Sequence, residues 1–409
     1  MHRYPGGLIP VDKCYKQPRV VAIGPYHHNL KRLKRAEKAK YEAAICCVKQ
    51  SSCLLEDVYS MVASVADASR CLYDEDVMSG IGDDDFRVMM FFDACFLVQF
   101  MLLLSGEKID PTPSLHRFFF GPNRRDIRHD ILLLENQLPW KVVKAVMKFK
   151  SVPLKRFVFV MKQYLQDHKA PPEVDDASVP ELDPGDEAPH LLGLIRYYAV
   201  GRCNDRTTTT KEKTTKKNRR RKDKPKTLSI STGAMELAKM GIMLTANNQT
   251  TELSHMGLHH FIKLSMVPLA LDHNRASYLI NMAALELCTV ENFYKDDVQK
   301  SDVCSYLLLL ATLASRTDDV HAMRAKGILQ GGGGLSNDQV LKFFTSLQGL
   351  NRGRRYLRIM RDIQMYKENW WALTKIYEFF YKHWKMITAA ASAISFFLGI
   401  IKAIYSIRK

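Results

Sequence analysis

Apolar residues recur at helical spacing over most of the chain. Leu30, Leu33, Glu37, Tyr41, Ala44, Ile45 and Val48 mark one face of a long helix, and the cations at 31, 32, 34, 35, 38 and 40 cover its remainder as a solvated surface. A second helical pattern runs from Leu54 to Tyr73. Gly80 to Asp85 breaks it, and Phe86 to Ser105 reads as a strongly apolar helix. The core of that helix, Val88 to Leu104, is interrupted by Asp93 and Gln99. A carboxylate in mid-run is expensive in lipid, which favours a helix buried in protein over a membrane span. Further helices are expected over Leu138–Lys150, Val152–Gln166, His190–Val200, Tyr278–Cys288 and Val303–Leu313, with a helical or turn-like piece at Ala234–Met243. Ser336-Asn337-Asp338-Gln339 has the form of a capping box opening a helix with Val340, Phe343, Phe344 and Leu347. Only Phe261–Leu271 suggests strand. The pattern predicts a mainly α fold.

One stretch breaks the apolar logic. Asp130 to Val143 reads D-I-L-L-L-E-N-Q-L-P-W-K-V-V, and places a carboxylate and two amides inside an apolar run. Such groups are costly in a core unless each finds a hydrogen-bond partner. Asp130, Glu135, Asn136 and Gln137 are therefore read as a polar knot that ties down backbone from another segment. Asp130–Asn136 is expected to be a short helical piece, with Pro139 in the first turn of the next helix.

Charge changes the picture in two places. The net charge of the 409 residues is +17, but Arg206 to Lys226 alone carries eleven Lys or Arg against two acids. Ala170 to Pro189 before it has five prolines, seven acids and no base. Both flanks of the short helix at 190–200 have the composition of disordered chain. The expected organisation is an extended lead-in over 1–22, one half of a helical body over 23–169, a charged insertion over 170–227 and the second half over 228–385. An apolar tail over 386–407 ends the chain.

That tail, Met386 to Ile401, is sixteen residues without a charge. With Lys402 snorkelling, Met386–Ile407 spans about 33 Å as a helix, enough for a hydrocarbon core of about 30 Å. Trp370, Trp371, Tyr377, Tyr381 and Trp384 precede it like an interfacial belt. A transmembrane helix is the expected reading, and a buried or amphipathic C-terminal helix is the alternative. Met1 to Pro10 offers no apolar signal region, and two residues follow the span, which suggests a tail anchor with a cytosolic body. Asn248-Gln249-Thr250 is a glycosylation sequon, meaningful only if that face lies outside the cytosol.

Candidate chemistry is sparse. The nine cysteines are odd in number and lack a C-x-x-C, a pattern of reduced, mostly buried thiols, with Cys46, Cys47 and Cys53 read as helix thiols. His27-His28 and His259-His260 have no partner at ligand spacing, so neither metal nor cofactor is expected. Gly331–Gly334 lacks a following Lys-Ser/Thr and reads as a turn, and Asp83-Asp84-Asp85 as an exposed loop. The basic tract Lys211–Lys226 offers phosphate affinity without base readout, so contact with anionic lipid is considered and no specific nucleic acid is expected. An enzyme would require Asp93, Glu135 and His27 or His28 to converge in one cleft.

Several phrases in series resemble the plant DUF247 family. Val21-Ala22-Ile23-Gly24-Pro25-Tyr26-His27-His28 is similar to its opening phrase, with Ala22 where serine is usual. Met89 to Phe96 is similar to the next block around Asp93, although Ala94 and Gln99 replace its glycine and glutamate. Leu133-Leu134-Glu135-Asn136-Gln137-Leu138-Pro139 matches its most diagnostic block. Ala234, Glu236-Leu237, Gly241-Ile242, Asn281, Ala284 and Glu286 fit its second half. The resemblance marks Gly24, Pro25, Tyr26, His27, Asp93, Glu135, Asn136, Gln137, Pro139, Asn281 and Glu286 as a structural signature. It implies a helical body, a variable central insertion, a single C-terminal membrane helix and no enzymatic activity. It also implies a role in recognition of an unknown protein partner at the plasma membrane, since some grass members are implicated in self-incompatibility; a cytosolic defence or signalling scaffold is the alternative.

Overall fold

The computed structural model describes residues 1–8, 12–51, 53–107, 114–166, 188–201, 233–259, 262–294, 298–330, 335–369 and 381–384, with isolated positions between 388 and 399. The acidic and basic flanks, Gly331–Gly334, Trp370, Trp371, Tyr377 and most of Met386–Ile407 lie outside the described residues.

The fold is mainly helical. In the first half, α1 (Arg35–Ser51), α2 (Leu55–Ser69), α3 (Glu75–Met78) and α4 (Asp83–Leu104) are followed by α5 (Gly121–Asp130), α6 (Trp140–Met147) and α7 (Leu154–Gln166). α8 (Leu191–Val200) precedes the second half, which holds α9 (Ala234–Lys239), α10 (His273–Thr289), α11 (Asp302–Leu313), α12 (Thr317–Ala325), α13 (Asn337–Ser346) and α14 (Arg354–Asn369). Helix α4 is the axle of the first half, against which α1, α2, α6 and α7 pack. Among the described residues it is the helix long and apolar enough to cross a bilayer, but it is mostly buried in protein, with Asp93 and Gln99 inside the core. Asp83, Asp84 and Asp85 are its first turn, not a loop, where carboxylates complement the helix dipole.

Helix α1 corrects the expected facing. Its buried side is Ala36, Ala39, Lys40, Ala43, Ala44, Cys46 and Cys47, while Tyr41 is 57% exposed. Small residues let α1 approach α4 closely, and that outweighs the larger apolar stripe of Tyr41, Ile45 and Val48. Lys40, assigned above to the solvated surface, is buried against Asp93. Cys53 lies outside the helix and is exposed, as are Cys14 and Cys71. The chain also contains more strand than its pattern suggested. β1 (Met243–Ala246), β2 (Gly257–His259) and β3 (Lys263–Met266) form a sheet of order β1-β3-β2, with β1 parallel and β2 antiparallel to β3. Leu269–Ala270 (β4) pairs in parallel with Leu329–Gln330 (β5). These strands are two to four residues long, too short for a period-2 pattern to stand out.

Candidate functional site

Beyond α5 the chain is turn and extended backbone up to Pro139, so the helical piece expected at Asp130–Asn136 does not form. The side chains of this segment replace the helix ladder with bonds of their own. Asp130 accepts from the backbone N–H groups of Arg19 (2.8 Å), Val20 (2.7 Å) and Val21 (2.9 Å). Asn136 accepts from Ile23 N (2.7 Å) and donates to Val21 O (3.1 Å) and Asp130 O (2.9 Å). Gln137 donates to Ile131 O and Leu133 O and accepts from Leu192 N at 3.0 Å, which ties α8 to the knot. Asn281 on α10 accepts from Leu134 N (2.8 Å) and donates to Tyr15 O (2.9 Å). Every buried amide of the knot is thus satisfied, and the lead-in backbone is what it holds.

The turn at Pro25–His27 is fixed from both sides. Gly24 has φ of 75°, and a Cβ there would lie 2.9 Å from Gln137 O, so the close approach requires glycine. Its N–H donates to Asp93 Oδ2 (2.7 Å), while Asp93 Oδ1 lies 2.6 Å from Lys40 Nζ in an ion pair. Burial pushes the Asp93 carboxyl up and the Lys40 ammonium opposes the shift. Desolvation disfavours the Lys40 charge, but Asp93 and Glu37 together hold its pKa above the usual value. Tyr26 packs edge-on to Tyr73, and Tyr73 donates to Gln137 O at 3.0 Å. Glu135 accepts from Tyr4 N (2.8 Å), and its Oε2 stands 3.8 Å from His27 Nε2. Burial lowers the His27 pKa, and Glu135 partly restores it. His27 and Glu135 are therefore neighbours, but among the described residues no hydrogen bond or ion pair joins either to Asp93. Pro139 sits at the N-cap of α6 rather than inside its first turn, and Trp140 N donates to Pro189 O (2.9 Å).

Glu286 is a second knot. Fully buried on α10, it accepts from Arg196 of α8, from Val303 N (3.0 Å) and from Cys304 N (2.8 Å) at the start of α11. Desolvation raises its pKa, against the pull of Arg196. The pattern of the chain gave no sign of the buried pair Arg355–Asp302, with Nε–Oδ1 at 2.7 Å, because each member falls at a helix start where a charge is ordinary. No group of three His, Cys, Asp or Glu side chains able to hold a metal occurs among the described residues.

A different kind of site lies where α1, α2 and α4 diverge. A surface groove of about 480 Å³ is lined by Tyr41, Ile45 and Val48 of α1, Leu55 and Tyr59 of α2, and Val88, Phe91 and Phe92 of α4, with Lys49 and Glu56 at its edge. Leu55 is 51% exposed and Val88 40%. Tyr41, Ala44, Ile45 and Val48 of the helix face marked by the sequence form one wall of this groove.

The model of a family described as "plant protein of unknown function", DUF247, matches residues 1–398. The chain belongs to the DUF247 family. A curated relative, UPF0481 protein At3g47200 of Arabidopsis thaliana, is 24% identical over 365 residues, covering 84% of this chain and 71% of the relative. No solved structure matches. Of the signature residues of this DUF247 chain, Asn136, Gln137 and Asn281 sit in the first knot, Glu286 in the second and Asp93 at the Gly24 turn, while Asp130, outside the signature, makes three of the knot's bonds.

Proposed function

We propose that this DUF247 protein is a membrane-anchored interaction module, with Met386–Ile407 as the anchor and the helical body as the binding part. The observation that carries the reading is the environment of the tail. Its described positions are helical, and Ile394 and Phe396, about 200° apart around a helix of 3.6 residues per turn, are 60% and 67% exposed. A helix with exposed apolar side chains on opposed sides is suited to lipid. Two of its hydroxyls bond back to the helix, as Thr388 Oγ1 donates to Trp384 O and Ser392 Oγ to Thr388 O. The basic tract Lys211–Lys226 is read as a contact for anionic headgroups of the same membrane.

The groove supplies the binding surface. Lys34 and Lys38, both exposed, continue the α1 line of Tyr41 and Ile45 at i, i+4, i+7 and i+11. Its occupant is accordingly an amphipathic helical segment of a partner, apolar toward α4 and acidic toward α1. Leu55→Asp and Val88→Asp should abolish binding of an acidic amphipathic peptide and leave stability within about 0.5 kcal/mol; unchanged binding would remove the groove from the proposal.

The anchor is tested on microsomes carrying the full chain. Resistance to carbonate extraction is expected, and extraction would sink the anchor. Protease protection and endoglycosidase sensitivity then separate the two roles. Asn248 is exposed in a turn after β1, open to a glycan. A protected, glycosylated body supports recognition outside the cell; an accessible body with bare Asn248 supports a cytosolic scaffold.

A further inference from the structure

Several buried or half-buried arginines of this protein are matched to carboxylates. Arg19 pairs with Asp126, Arg196 with Glu286, Arg275 with Asp272 and Arg355 with Asp302. On α5, Arg124, which is exposed, and Arg128, which is half-buried, are not. They stand one turn apart on α5, and among the described residues neither has an ion pair or hydrogen bond. The Arg128 guanidinium lies 4.7 Å from the centre of the Tyr164 ring on α7, and Arg275 of α10 approaches the same ring at 5.4 Å. The Arg128 Nε is buried without an acceptor. Below, the Tyr278 hydroxyl is buried without an acceptor too, with its ring 5.8 Å from Tyr164.

The nearby carboxylates are already committed. Asp126 is held by Arg19, and Asp272 caps α10 through Asn274 N and Arg275 N while pairing with the Arg275 side chain. Arg125 reaches Asp272 only at 4.0 Å. Arg19, Arg125 and Arg275 thus already draw on these two carboxylates. Burial lowers the pKa of both Arg124 and Arg128, and the Arg124 charge lowers that of Arg128 further. Aromatic stacking fixes the direction of Arg128 but supplies no acceptor for its donors.

We propose that Arg124 and Arg128, braced by Tyr164, bind a phosphate monoester. Two unpaired guanidiniums call for a dianion, and a monoester carries a charge of about −1.5 to −2 near pH 7 with three acceptor oxygens. A carboxylate would neutralise one cation and leave the other. The phosphate belongs either to a soluble ester or to a phosphorylated lipid headgroup.

The test uses the full chain purified in non-ionic detergent, with thermal unfolding followed in chloride, acetate, inorganic phosphate and a short-chain phosphatidylinositol phosphate at matched ionic strength. Phosphate or the phosphoinositide should raise the midpoint by about 3 °C or more, and acetate should not. A shift with inorganic phosphate assigns a soluble ester; a shift with the phosphoinositide alone assigns a headgroup. Arg124→Gln, at an exposed position, should raise the midpoint in chloride and lose the phosphate shift. Arg128→Gln should lose the same shift. No shift in the natural chain, an equal shift in acetate, or a shift that survives both substitutions overturns the site.

Discussion

At the scale of single residues, His190 shows how position sets chemistry. It is buried, and its Nδ1 accepts from Gly193 N at 3.2 Å, capping α8. Accepting requires the neutral ring. Burial, with His2 and the N-terminal amine adding repulsion, lowers its pKa to about 3. The unfolded chain binds the proton below about 6.5 while the folded chain refuses it. The stability due to neutral His190 is therefore complete above that value and is lost as pH falls toward 3, by an amount of the order of 5 kcal/mol. His190→Asn keeps a capping side chain without the titration. Its denaturant midpoint should fall less steeply between pH 6.5 and 4 than that of the natural protein, and parallel pH curves would refute this role.

At the scale of elements, helices here are joined through side chains that cap or bridge backbone. The capping box at Ser336 is complete, with Gln339 N donating to Ser336 Oγ (3.2 Å) and Ser336 N donating to Gln339 Oε1 (2.8 Å). That signal is local, and so the sequence displayed it. Glu286 instead joins α8, α10 and α11 across long separations. Replacing it with alanine removes the carboxylate shared by Arg196 and two buried N–H groups, which should cost about 3–5 kcal/mol. Glu286→Gln keeps one acceptor oxygen and should cost less. Urea denaturation checks the order; equal, small losses in both would show that the bridge carries little.

At the scale of the whole molecule, the two halves are bound by the same polar groups. Leu134 N meets Asn281, Arg19 meets Asn274, and one apolar cluster includes residues of α1 through α14. A chain cut within residues 202–232 should keep its two pieces together in size-exclusion chromatography and unfold in a single transition. Separation of the pieces, or two transitions, would show two independent units.

The helices, the capping box and the apolar burial of α4 were legible in the sequence because each depends on neighbours within about four residues. The amides in the apolar run at 130–143 likewise announced a knot, since unpaired amides would be too costly to keep in a core. What they would hold was not legible. The backbone of residues 19–23 is more than a hundred positions away, and only folding decides which donors come within 3 Å. The same holds for α1. Its sequence offers two faces, one of large apolar residues and one of small ones with Lys40. Packing against α4 selects the small face, because close approach there also brings Lys40 to Asp93. The larger stripe is left at the surface, where it lines the groove. The unpaired arginines of α5 were equally invisible, since a surplus of charge exists only once the neighbours that could cancel it are in place.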